Sequence, residues 1–300
     1  MKVYIKKHSA HAGKWIYEGY KNAWNSLGYD TLFYSDIKSL KKEEIRDSFI
    51  MAIDHDVLSE EEVEKLTLSK KTFLFVQSDC IPPPWGRHPN WKTRCSKEII
   101  EKINKTNIQT WTFLETDKYF KSWNDIMYMP LGFDEHSYKT VEDKKFAFDV
   151  CFVGGWANNG FNEKKQIMLE VFSQFKDTSL KCGFFINKNL SHENECKIIT
   201  NSKVCINIHD AYQRVLGLDT NERTFKTLGL NGALVSDKIA CMKNLSLDIS
   251  FYETSSEIID KTYLYLEMPE ADLEAVKIKN KENILNFHTY TKRVESFLNE

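Results

Sequence analysis

The sequence predicts an α/β protein built from two doubly wound halves. Three observations carry that prediction. Short apolar runs alternate with segments of 3.6-residue periodicity along the whole chain. The alternation is interrupted once, by a charged stretch without apolar periodicity at 133–146, and then starts again. The 300 residues also suffice for two domains of about 100–200 residues each.

In the first half, strands are predicted at 2–5, 31–34, 49–53, 72–76, 108–113 and 126–129. Between the first two, Trp15, Gly19, Ala23, Trp24 and Leu27 fall near one helical face, and Gly28 supplies the stop. Such a rhythm implies a mostly parallel sheet covered by helices on both faces. The turn signal Pro130-Leu131-Gly132 then leads into the charged stretch, which reads as a linker between domains 1–139 and 140–300.

The second half opens with a strand at 148–153, a glycine loop, a helix at 163–175 and a strand at 180–185. A helix at 193–200, a strand at 203–208, a polar loop and a helix at 221–230 follow. Strands at 233–236 and 248–251 precede three helical stretches. In the last stretch, 282–299, Ile284, Phe287, Val294 and Leu298 lie near one face. In sheets of this kind ligands sit outside the carboxyl ends of the strands.

Composition narrows the function classes. Hydrophobic residues make up 42% and aromatic residues 13%, too much for a disordered chain. Lys and Arg number 41 against 43 Asp and Glu, so there is no basic excess to serve as a nucleic-acid footprint. The seven cysteines have no C-x-x-C spacing and read as free thiols in a reducing compartment, with no legible zinc site. The N-terminus lacks a signal-peptide core, and no run reaches the roughly 18 apolar residues of a membrane span. The expected location is the cytoplasm, with loose association at a membrane surface left open.

The richest local signal is the block from Ala211 to Asp237. Thr220 stands where a helix N-cap is expected, and Asn221, Glu222, Arg223 and Thr224 form the first turn. Unpaired backbone N–H groups beside a guanidinium make a diphosphate site; alternatively, Arg223 pairs with a carboxylate as many helix arginines do. The run DVCFVGGWANNG adds Gly154, Gly155 and Trp156 directly after an apolar strand and before a helix. Glycines there let the backbone approach a phosphate or sugar. The loop Gln77–Arg94 holds four of the six prolines, with Trp85 and Arg87 among its residues. It reads either as an acceptor-binding element or as a loop packed over its own aromatics.

With these residues in view, the second half resembles the donor domain of glycosyltransferases of the GT-B fold, two Rossmann-like domains facing a central cleft. The closest likeness is to the group 1 branch related to spore-maturation glycosyltransferase-like proteins. The resemblance rests on DVCFVGGW, SKVCINIHD, the block Arg223 to Asp237 and the closing FHTYTKRVESFL. It covers about 148–298 well and the first half only in outline.

The resemblance implies a nucleotide-sugar donor, as co-substrate rather than cofactor, held by the second half, and a glycan or other acceptor held against the first. It implies catalysis without a metal, retention of configuration favoured, and Arg223 on the departing diphosphate. Gly154 and Gly155 would line the donor pocket. His209 and Asp210 either contact base or sugar or only bond their own loop. The loop with His8, His11 and Gly13 would border acceptor and donor, with His11 a general base if the course is inverting. The final helix would cross back to the first domain.

One departure stands out. Lys226 occupies the position where such enzymes carry a ribose-binding glutamate, and lysine has no acceptor for ribose hydroxyls. Lys226 then turns to phosphate, or Glu222 takes the ribose, or the scaffold binds without turnover. Asp54-His55-Asp56 offers a competing metal-diphosphate reading through Asp54 and Asp56. A nicotinamide enzyme finds no G-x-G-x-x-G with its acidic partner.

Overall fold

The computed structural model describes residues 1–8, 11–87, 91–115, 118–156 and 163–299, and of His11 the backbone alone. Two units separate: Met1–Pro130 with Arg293–Glu300, and Leu131–Lys292.

In unit 1, β1 (Lys2–Lys6) leads to α1 (His11–Ser26), β2 (Asp30–Tyr34), α2 (Lys42–Arg46) and β3 (Ser48–Ile53). Next come α3 (Glu60–Leu66), β4 (Lys71–Phe75), α4 (Lys97–Ile103), β5 (Gln109–Thr112) and β6 (Met127–Tyr128). The parallel sheet runs in the order β2-β1-β3-β4-β5-β6. α1 buries Tyr17, Gly19, Tyr20, Ala23 and Trp24; of the face that the sequence predicts, Gly19, Ala23 and Trp24 are covered, whereas Trp15 and Leu27 are half-buried and Tyr17 and Tyr20 take their place in the core. Gly28, at φ +85°, ends the helix in a conformation that a side chain would strain. Trp24 lies against Phe49 and Phe73, with its indole N–H on the Met51 sulfur at 3.1 Å. Removing each such ring from water is worth about 1.5–3 kcal/mol.

In unit 2, β7 (Val150–Gly154) is followed by α5 (Lys164–Ser173), β8 (Cys182–Ile186), α6 (His192–Asn201) and β9 (Val204–Asn207). After these come α7 (Ala211–Leu216), α8 (Glu222–Gly229), β10 (Leu234–Asp237), β11 (Ser250–Tyr252), α9 (Ile258–Leu266), α10 (Glu270–Phe287) and α11 (Tyr290–Asn299). This parallel sheet has the order β11-β10-β9-β7-β8, so the direction of winding reverses between β7 and β9. β9 and β10 are buried along their whole length, and the polar residues at their carboxyl ends, Asn207, Ser236 and Asp237, are hydrogen-bonded.

The structure departs from the sequence expectations in four places. The polar loop after β9 contains a helix, α7, held by a capping box between Asp210 and Gln213 and stopped by Gly217 at φ +69°. The N-cap of α8 is Asn221 rather than Thr220, because the Thr220 hydroxyl turns inward to His209 and Thr224. The stretch 133–146 is no bare linker: Phe133 and Tyr138 are buried and anchor it in unit 2.

The fourth departure is at the end of the chain. The final helix is broken at His288-Thr289, where the backbone pairs with Phe133 instead of continuing the helical ladder. The Phe133 amide donates to the His288 carbonyl at 2.8 Å, and the Tyr290 amide to the Phe133 carbonyl at 3.0 Å. Beyond the break, residues Arg293–Glu300 belong to unit 1. There Phe297 packs 4.8 Å from Phe73 and 5.3 Å from Trp111.

Candidate active site

The site in unit 2 forms at the carboxyl ends of β7 and β9, the strands between which the winding reverses. Arg223 rises from the first turn of α8 and spans both strands. Its Nε donates to the Val153 carbonyl at 2.6 Å, and its Nη1 to Asn207 Oδ1 at 2.9 Å. The guanidinium lies 4.6 Å over the Phe152 ring. Gly154 makes this approach possible, since a Cβ there would run into the guanidinium. Gly155 does the same for the Asn187 side chain, whose Oδ1 accepts from the Trp156 amide at 3.3 Å. Arg223 thus pairs with carbonyl oxygens rather than with a carboxylate, which keeps its charge uncompensated by direct ion pairing.

Beneath it runs a buried polar chain. His209 is completely buried, and both ring nitrogens are engaged: Nδ1 with Asp237 Oδ1 at 2.5 Å, Nε2 with Thr220 Oγ1 at 2.8 Å. Thr220 continues to Thr224 at 2.7 Å, and Thr224 receives Asn207 Nδ2 at 3.0 Å. Burial would raise the Asp237 carboxyl, but His209, by charge and hydrogen bonds, and then Arg214 hold it below the ordinary range. Asn221 spends its amide on Asn207 and the Ile208 carbonyl, so no side chain caps the first turn of α8. His209 and Thr224 therefore hold Asn207, which in turn holds Arg223.

Asp210 N-caps α7 and pairs with Lys164 Nζ at 3.0 Å. Lys164, at the start of α5, is buried and also donates to the Ile208 carbonyl at 2.7 Å. Burial lowers its ammonium pKa, and Arg223 adds to that against the pull of Asp210. Sequence reading missed Lys164, whose only signal was a lysine directly after the glycine loop.

Lys226 is tied into an acidic neighbourhood. Its Nζ meets Glu195 Oε1 at 2.6 Å and lies 5.1 Å over the Tyr138 ring. Burial opposes the charge, yet Glu195 and Glu222 outweigh it and hold the ammonium well above the usual lysine range. Glu222 is in turn raised, by burial first.

In unit 1, His8 stacks on Tyr17 with ring centroids 4.5 Å apart, and Gly13 leaves room for its imidazole. The His11 side chain lies outside the described residues. Asp54 accepts the Gln77 amide at 2.8 Å, whereas Asp56 pairs with Lys6 Nζ at 2.5 Å, so the two carboxylates have separate partners. Burial raises the Asp54 carboxyl despite the nearby His55. Trp85 is buried while Arg87 is exposed, so the proline loop turns its tryptophan inward. All seven cysteines are free. Among the described residues there is no cluster of three or more His, Cys, Asp or Glu fit to hold a metal ion, and no helix long and apolar enough to cross a membrane.

Two parallel sheets, each covered by helices, with a guanidinium and a glycine turn at the switch point of the second, define a glycosyltransferase of the GT-B type. Residues 150–299, half of the chain, match the model of a glycosyl transferase-like family, and the chain belongs to that family. No curated protein matches the chain in sequence.

Similar solved structures include T4 phage BGT in complex with UDP and Mn2+, at 11% identity, 99% of each chain covered and a TM-score of 0.51. An alpha-glucosyltransferase in complex with UDP and a 13-mer DNA containing a HMU base is 8% identical, with 100% of this chain and 98% of that one covered and a TM-score of 0.64. AviGT4, a glycosyltransferase involved in avilamycin A biosynthesis, is 9% identical, with 98% and 96% covered and a TM-score of 0.52. At these identities the likeness concerns the fold.

Proposed function

We propose that the chain transfers a sugar from a nucleoside-diphosphate donor bound in unit 2, and that Arg223 stabilises the departing diphosphate. The observation that carries this reading is the guanidinium held against the Gly154 backbone at the switch point, beside a helix turn that no side chain caps. Arg223 serves in place of a divalent ion, and Lys164, buried and paired with Asp210, holds the start of α5 beside it. Gly155 and Trp156 border the donor. Glu222 and Glu195, both beside Lys226, supply the acceptor oxygens for ribose hydroxyls that the lysine lacks. His209, Thr220 and Thr224 act through Asn207 as positioning residues.

Retention is the favoured course, and a general-base role for His11 belongs to an inverting one. The neighbours solved with UDP support a uridine donor as the first to try. The acceptor lies on unit 1, where His8 and Gly13 sit at the end of β1.

A thermal-shift screen against UDP, GDP, ADP, CMP, dTDP and NAD tests the donor reading. A ligand at about 100 times its Kd adds roughly 2.7 kcal/mol of stability. Stabilisation by one nucleoside diphosphate supports the proposal and names the base; silence from all in a folded sample refutes it. The engagement of Lys226 with Glu195 favours one other reading, a scaffold that binds donor without turnover. Slow hydrolysis of the donor that binds separates the two.

A further inference from the structure

Unit 1 contains a cavity of ≈ 390 Å³ at the carboxyl ends of β1, β3, β4 and β5. The winding of that sheet reverses between β1 and β3, where doubly wound folds place ligands. Its wall is mostly apolar, with Ile16, Tyr17, Phe75 and Phe113 presenting aliphatic and aromatic surface. Among the described residues, His8, Asp54, His55 and Gln77 supply polar side chains, and Tyr17 and Trp111 add one hydroxyl and one indole N–H. Asp54 is 1% exposed, and its Oδ1 has no hydrogen bond of ordinary geometry among the described residues, while the Thr93 hydroxyl and the His55 amide act on the carboxylate and His55 Nε2 stands 3.8 Å away. The His8 Nε2 is likewise buried and without a partner among the described residues. A buried carboxyl oxygen left unbonded costs on the order of 1–3 kcal/mol, so the site is one that a ligand hydroxyl would complete.

We propose that this cavity is the acceptor pocket and that it takes a flat ring bearing a hydroxyl, an aromatic alcohol in chemical class, with the hydroxyl received by Asp54 Oδ1. The proposal rests on the glycosyl-transfer reading for its biological sense but not for its binding chemistry. A pyranose would bring hydroxyls around its whole rim against a wall whose described surface is mostly apolar, where each hydroxyl left unbonded is costly. A ring with apolar faces lies on Tyr17, Phe75 and Phe113 at no such cost. The volume suits one ring and a short substituent, near the lower limit of about 300 Å³ for small-molecule sites.

The experiment is a ligand-observed NMR titration of the whole chain with benzyl alcohol, using toluene and methyl glucoside as comparators and UDP as a probe of unit 2. Benzyl alcohol is expected to bind about tenfold more tightly than toluene, the worth of one hydrogen bond to a carboxylate. Asp54→Asn should bring it down to the toluene level, and Ile16→Trp, which fills the cavity, should abolish binding of both. Urea unfolding followed by tryptophan fluorescence, with six of the seven tryptophans in unit 1, reports that both variants remain folded. Tighter binding of methyl glucoside overturns the ligand class, and equal binding of benzyl alcohol by Asp54→Asn overturns the role of Asp54. If UDP binds and benzyl alcohol does not, the pocket proposal fails alone; if benzyl alcohol binds and UDP does not, the donor reading fails alone.

Discussion

Arg223 and Asn207, 16 residues apart, meet where Nη1 donates to Oδ1 at 2.9 Å. The bond fixes the guanidinium over the end of β7 while its host helix packs on β9. Arg223→Ala should weaken binding of the cognate nucleoside diphosphate by about 1.5–3 kcal/mol, the worth of a hydrogen bond to a charged group. Asn207→Ala should weaken it less, because the Val153 carbonyl still holds Nε. Calorimetric titration checks both, and an unchanged affinity for Arg223→Ala removes that residue from the phosphate site.

His209 is the only ring between Asp237 and the Thr220 hydroxyl. Removing the ring in His209→Ala takes the imidazole from the buried Asp237 carboxylate and leaves it the residue-209 amide at 3.0 Å, the Ser236 hydroxyl at 3.4 Å and Arg214 at 3.4 Å. The expected loss is about 3–5 kcal/mol of unfolding free energy, that of breaking a buried pair from one side. Urea unfolding measures it; a loss below about 1 kcal/mol would mean that the chain of bonds is not coupled.

Lys226 and Glu195 form a pair in which each side chain is largely covered, 12% and 13% exposed. A double-mutant cycle with Lys226→Ala and Glu195→Ala should give a coupling of about 0.5–3 kcal/mol. Additive single losses would show that Lys226 is held by Glu222 and Tyr138 instead.

Asp219 is buried, with Tyr212 and Gln213 both donating to Oδ2 at 3.0 Å, and burial pushes its carboxyl up to about 7. The folded chain therefore keeps a proton that the unfolded chain has released above 3.8, and stability falls as pH rises from there to about 7. Asp219→Asn removes this slope. Its stability relative to the parent should climb by at most about 1.4 kcal/mol per pH unit through that window and then level off. Melting curves of both proteins from pH 5 to pH 8, a range of about 3 units, decide it, and parallel curves refute it.

Phe297 closes the aromatic core of unit 1 against Tyr20, Phe73 and Trp111. Phe297→Ala should cost about 3–5 kcal/mol, read from denaturant unfolding followed by tryptophan fluorescence. A cost near zero would mean that the segment docks without contributing to the core.

The strands were legible because each is a short apolar run between turn signals, and all eleven predicted runs overlap an observed strand; β7 with Gly154 and Gly155 is the plainest. α7 escaped notice although its signals were present, Asp210 with Gln213 for the start and Gly217 for the stop; its six residues are too few to display a period. The break at His288-Thr289 has neither proline nor glycine, and its cause is Phe133, 156 positions earlier by the bridge to Thr289. That Arg223 and the glycine turn meet was legible from the glycine loop and the helix turn together. Lys164 and the duty of His209 were not, since each depends on partners brought from other strands: Ile208 and Asp210 for the first, Asp237 for the second.

The return of the chain after Lys292 has a consequence for biosynthesis. Residues 1–130 of unit 1 leave the ribosome before unit 2, yet its aromatic core lacks Phe297 until residues 293–299 have been made. The hydrophobic surface on Phe73 and Trp111 must wait, uncovered, while all of unit 2 is translated. The core of unit 1 is thus started before unit 2 and completed after it, and at about 5–20 residues per second that interval lasts many seconds. During it the nascent sheet depends on dilution or on chaperones to avoid its neighbours.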